Sequence, residues 1–243
     1  MLKAIIFDVD GVLVDSMRFQ ADAWAKAFQD VGITISREDI YELEGSNDKR
    51  LIKSIFEKSE KEPEPEYFEE LPERKREALE FDSIKPFEGI PDCLNELKRH
   101  FKLAMVSGSN RKTVGKIVDK FFPGYFDVVI NGSDLERGKP DPDPYLKALE
   151  MLDLTRNECI VIETAPLGIT AAKRAGLYCV AVASMLDRRR CITQTWFSRT
   201  MLPCATTLKA FYLRNRKRNK LRIFLITLAC ITCRNFTGTL KGH

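Results

Sequence analysis

Met1-Leu2-Lys3-Ala4-Ile5-Ile6-Phe7-Asp8-Val9-Asp10-Gly11-Val12-Leu13-Val14-Asp15 opens the chain. Ala4 to Phe7 is a continuous apolar run, bounded by Asp8-Val9-Asp10-Gly11. A run that short suits a strand covered on both faces, as in a parallel sheet. Asp8 and Asp10 then lie just past its C-terminal end, where open α/β sheets place their ligand crevices. Gly11 lets the chain turn there. Acids and a glycine after a strand are also ordinary turn chemistry, so the rest of the chain must decide.

The chain has 243 residues, enough for one large domain or a core with a subdomain. Its formal net charge of +4 hides an asymmetry. All 35 acidic residues lie at or before Asp187, with 26 basic ones, so that body carries −9. Residues 188–243 carry 13 Lys or Arg and no acid. No secretory signal is expected, because Asp8 and Asp10 interrupt the first apolar stretch. Seven cysteines do not form a disulfide pattern, and a reducing cytoplasm is the expected location. With only His100 and His243, a Ser-His-Asp or Cys-His hydrolase is hard to build. There is no GxxxxGK and no GxGxxG, so catalysis is expected to run on carboxylates.

Beyond the opening strand, residues 16–84 are predicted to be all-helical. Ala21, Trp24, Ala25 and Phe28 mark a first helix ended by Gly32, and Ser36 with Asp39 makes a capping-box start for a second. Leu51, Ile52, Ile55 and Phe56 mark a third, and a fourth runs to about Asp82. From Pro86 on, helices alternate with short apolar strands at 103–106, 128–130, 159–162 and 179–182. Five such strands predict a doubly wound parallel sheet of Rossmann-like α/β class. The expected layout is a core of residues 1–15 and 85–187, an inserted helical cap over 16–84, and a basic tail over 188–243.

Four segments in this order resemble the motifs of the haloacid dehalogenase-like hydrolases. They are Asp8-Val9-Asp10-Gly11-Val12, Val106-Ser107-Gly108-Ser109, Lys139-Pro140-Asp141-Pro142, and Glu163-Thr164-Ala165-Pro166-Leu167-Gly168. The likeness covers about residues 1–186 and is nearest the branch of β-phosphoglucomutases and phosphoglycolate phosphatases. It implies a magnesium-dependent phosphatase acting on a small phosphorylated metabolite. Asp8 would be the nucleophile and Asp10 the general acid and base. Ser107, Gly108 and Lys139 would hold the phosphoryl oxygens, and Asp8, Asp10 and Glu163 the Mg2+. Ser46, Lys49 and Arg50 are the cap residues expected to meet the substrate. A sugar-phosphate mutase of the same family is the nearest alternative.

The chain departs from that pattern twice. Thr164 stands where the family has a metal-binding aspartate, which leaves open a catalytically impaired phosphate-binding or regulatory protein. The tail after Arg188 matches nothing in the family. Its basic cluster from Arg214 to Arg222 has few aromatics beside it, and no nucleic-acid partner is expected. Ile223 to Ile231 is too short to span a bilayer, so no transmembrane segment is expected. The single Cys230-Ile231-Thr232-Cys233 motif is a weak zinc signal, and an out-of-frame or poorly ordered tail is the expectation. Composition says nothing of oligomeric state.

Overall fold

The computed structural model describes residues 1–182. The tail expected over 188–243, with its basic cluster and CxxC pair, lies outside the described residues. Five parallel strands form one sheet: β1 (Ala4–Phe7), β2 (Lys102–Val106), β3 (Val128–Ile130), β4 (Cys159–Glu163) and β5 (Tyr178–Ala181). Their order is β3-β2-β1-β4-β5, with β1 at the centre. Central placement explains the opening sequence: Ala4, Ile5, Ile6 and Phe7 are all at most 1% exposed.

The strand period of two divides those side chains between two cores. Ile5, Phe7, Leu103, Met105, Ile160 and Ile162 face one layer, which includes Leu94 and Leu97 of α5 (Ile90–Lys98) and Ile117 of α6 (Arg111–Phe121). Ala4, Ile6, Ala104, Val106 and Val161 face the other, built on Tyr145 and Leu152 of α7 (Asp143–Leu152) and Ala171 and Ala172 of α8 (Pro166–Arg174). Helices on both faces make the sheet doubly wound.

Four helices are inserted between β1 and α5: α1 (Met17–Gln29), α2 (Arg37–Glu42), α3 (Asp48–Lys58) and α4 (Tyr67–Ala78). They share a separate core of Trp24, Phe28, Ile40, Leu51, Ile52, Ile55, Phe56 and Leu71. Ser36 and Asp39 close the expected capping box at the start of α2. Asn47 caps α3 by accepting from Arg50 N at 3.0 Å. The fourth helix ends at Ala78 rather than near Asp82, where a single 3-10 turn takes over at Phe81–Ser83. No helix among the described residues is long and apolar enough to cross a membrane.

Candidate active site

The strand ends of β1, β2 and β4 bring the four motif segments together. After β1 the chain turns back on itself: the amides of Val12, Leu13 and Val14 all donate to the Val9 carbonyl. Gly11 takes φ of +78° in that turn, a left-handed conformation that side chains disfavour. Asp8 and Asp10 are buried within it, 2% and 4% exposed.

Lys139 is 1% exposed and lies between two acids. Its Nζ donates to Asp8 Oδ1 and Glu163 Oε1, each at 2.7 Å, and to the Val106 carbonyl at 3.2 Å. An ammonium has three protons, so all three are engaged. Here Lys139 orients Asp8 and acts on the site through its charge, and its contact with phosphoryl oxygens stays an expectation. Burial alone would lower the Lys139 pKa, but Asp8 and Glu163 outweigh that and raise it.

Glu163 is fully buried, with its four acceptor positions filled. Oε1 accepts from Lys139 and from Tyr145 OH at 3.0 Å; Oε2 accepts from the amides of Thr164 at 2.6 Å and Ala165 at 2.7 Å. Gly168 gives it room, since a Cβ there would sit 1.5 Å from Oε1. In this arrangement Glu163 turns no free lone pair to the cavity, and its role as a metal ligand stays an expectation.

Asp8 differs. Its Oδ2 is buried with no hydrogen-bond partner, and Asp8 lines the cavity between core and insert. Burial, then the neighbouring Glu163 charge, push its pKa up to about 8, against the opposing pull of Lys139. Asp10 Oδ1 accepts from Ser16 Oγ and from Gln20 Nε2 at 3.0 Å, and Oδ2 accepts from Ser109 Oγ at 3.4 Å. These three donors orient Asp10 toward the same cavity, which it lines.

Ser107 is buried at the end of β2, and its Oγ accepts from Ser109 N at 3.1 Å. Gly108 has no room for a side chain: an added Cβ would lie 2.2 Å from the Ser46 carbonyl oxygen and 2.6 Å from that of Gly45. The loop between α2 and α3 thus rests directly on the second motif, and the cavity beneath it measures about 30 Å³. Ser46 lines that cavity with Glu44, Gly45 and Asp48. Lys49 and Arg50 do not. Both are exposed, since α3 turns Leu51, Ile52, Ile55 and Phe56 inward and leaves these cations in water. Their contact with substrate stays an expectation.

Sequence reasoning missed Ser16, Gln20, Glu44, Ser109 and Tyr145. A signal existed for the first two: a polar pair four apart at the start of a helix shares one face, here turned to Asp10. For Glu44 and Tyr145 no local pattern could show what the fold places opposite them.

A hard divalent cation fits this site in part. The orphaned Asp8 Oδ2 supplies one anionic ligand, and the excess of carboxylates over Lys139 supplies attraction. No group of three or more His, Cys, Asp or Glu that could hold a metal occurs among the described residues.

The chain belongs to the haloacid dehalogenase-like hydrolases, whose family model matches residues 5–182. It is 31% identical over 190 residues to the β-phosphoglucomutase of Bacillus subtilis (strain 168), covering 74% of this chain and 83% of that one. Against the phosphoglycolate phosphatase of Aquifex aeolicus it is 31% identical over 180 residues, covering 72% and 82%. The crystal structure of a hydrolase from Pseudomonas syringae superposes with a TM-score of 0.73 at 25% identity, over 79% of this chain and 90% of that one.

Proposed function

We propose that this chain is a phosphatase that hydrolyses a small phosphorylated metabolite through an aspartyl-phosphate on Asp8. The observation that carries this reading is the unpartnered Asp8 Oδ2, held at the cavity while Lys139 fixes the other oxygen at 2.7 Å. Asp8 Oδ2 attacks phosphorus, the bond to the leaving oxygen breaks, and Asp10 gives that oxygen a proton. Water then attacks the aspartyl-phosphate, Asp10 takes its proton, and the bond from phosphorus to Asp8 breaks to release inorganic phosphate. Ser107 and the amides that follow it hold the phosphoryl oxygens.

Mg2+ is the proposed cofactor, held by the Asp8 carboxylate and the Asp10 carbonyl; when bound it supplies the positive charge that dianionic phosphate esters require. The β-phosphoglucomutase relative favours a second reading, in which Asp8 returns the phosphoryl group to a sugar. Asp8→Asn keeps the shape and removes the nucleophile. Phosphate release from p-nitrophenyl phosphate with Mg2+ should fall by about four orders of magnitude or more, as for loss of a covalent nucleophile. Near-wild-type release would rule out the aspartyl-phosphate.

A further inference from the structure

Insert and core are joined where two helices begin. Asp48 opens α3 of the insert, and Asn110 is the N-cap of α6 of the core. Asn110 Nδ2 donates to Asp48 Oδ2 at 3.1 Å, across 62 residues of sequence. Neither partner is loose. Asn110 Oδ1 accepts from Thr113 N at 3.1 Å, and this cap fixes the planar amide with its Nδ2 turned to the insert. Asp48 lies in the first turn of α3, which Asn47 caps, where an acid is favoured. Burial raises the Asp48 pKa against the pull of Lys75 and of the bond itself. The bond needs only an acceptor oxygen, which a carboxyl offers whether protonated or not.

A second observation places this bond at the mouth of the site. Asn110 follows Ser107-Gly108-Ser109 directly, and Asp48 follows Gly45-Ser46-Asn47. An added Cβ at Gly108 would lie 2.2 Å from the Ser46 carbonyl oxygen, and one at Gly138 would lie 3.0 Å from the Asn47 side chain. These approaches let the loops touch, and the Asn110 amide bonds them. Lys112 of α6 also reaches Glu73 of α4 at 3.7 Å, but both side chains are more than half exposed, and such a pair holds little.

We propose that Asn110 is a positioning residue that latches the insert over Asp8 and Asp10 by donating to Asp48, a bond that must break each time the insert opens. Both partners belong to the chain, so the latch forms without help from substrate and holds whichever reaction Asp8 performs. Its failure would therefore leave the phosphatase reading untouched.

Amide exchange of the full-length protein without added ligand tests the latch. Residues 44–47 should exchange faster than β1, by opening of the insert rather than by unfolding. Asn110→Ser keeps a capping oxygen for α6 but withdraws the amide donor. Asp48→Ala removes the acceptor, whereas Asp48→Asn keeps one and removes only the charge that faces Lys75. Asn110→Ser and Asp48→Ala should each lower protection of residues 44–47 about fivefold, the worth of one hydrogen bond. The two combined should lower it no further than either alone, because they remove the same interaction. Asp48→Asn should stay within about twofold of wild type. Unchanged protection, additive losses, or an Asp48→Asn loss equal to that of Asp48→Ala overturns the proposal. So does a loss confined to the strands, which would mean that Asn110 supports the core alone. Equal protection of residues 44–47 and β1 in the wild type would show that the insert opens only on unfolding, and would overturn it as well.

Discussion

Two opposed demands meet on Asp8, the proposed nucleophile. Lys139 holds one oxygen in a 2.7 Å hydrogen bond, while burial and Glu163 push the carboxyl up to about 8. In metal-free protein the folded state therefore holds a proton on Asp8 that the unfolded chain releases near its ordinary carboxyl value. A group with a raised folded-state pKa loses stabilising effect as pH rises from about 4 to about 8. Asp39 and Glu158 behave oppositely, held at about 2 by ion pairs with Lys58 and Lys3, but they are ionised throughout that window. In chelator, Tm of wild type relative to Asp8→Asn should therefore fall by ~5 °C or more between pH 5 and 8. Parallel curves would show that Asp8 does not titrate in this range. Position 164, beside Glu163, is where the family resemblance expects a metal-binding aspartate. Thr164→Asp should lower the Mg2+ concentration for half-maximal activity by about tenfold or more, as ligand-shell changes elsewhere do. Identical Mg2+ titrations of activity and Tm in the two proteins would place residue 164 away from the metal.

Helices α6 and α8 each carry one glycine, for different reasons. Gly115 in α6 has nothing within 4 Å of the position a Cβ would take. It costs the helix backbone entropy with no packing gained in return, so Gly115→Ala should stabilise the protein by ~0.5–1 kcal/mol in urea unfolding. Gly168 in α8 lies where a Cβ would overlap the Glu163 carboxylate at 1.5 Å. Gly168→Ala must displace Glu163 and release Lys139 from its anchor. It should lower stability by ~2 kcal/mol or more and activity by at least tenfold, on the scale of disrupting a buried ion pair. If the two substitutions prove equivalent, the close approach of α8 to Glu163 is wrong.

At the scale of the whole molecule, the insert lies closed on the core. The Gly45 and Ser46 carbonyls approach Gly108, whose own carbonyl approaches Gly132, so three backbones pack with no side chain between them. The loop at Gly45 and Ser46 covers the cavity that Asp8 and Asp10 line, and entry of substrate by movement of the insert is the expected consequence. Amide exchange should report this movement. With Mg2+ and orthovanadate, protection of residues 44–47 and 108–109 should rise at least tenfold, while the strands stay unchanged. No change at either loop would show that the insert does not gate the site.

Much of this was legible in the chain itself, because local patterns determine local structure. The apolar run Ala4–Phe7 announced a strand buried on both faces, Ser36 with Asp39 announced a helix start, and the four motif segments announced the family. The asymmetry of charge after Asp187 is likewise a fact of sequence. Only the tertiary structure decided how donors and acceptors are shared. Lys139 and Glu163 looked free to serve phosphate and metal, but residues as distant in sequence as Asp8 and Tyr145 fill their bonding positions. Lys49 and Arg50 stand next to cavity-lining Asp48 in sequence, but α3 turns them to water, while Glu44 of the preceding loop lines the cavity. The physical reason is that a hydrogen-bonding site is satisfied by whatever group the fold brings within 3 Å, and sequence separation carries no record of that distance.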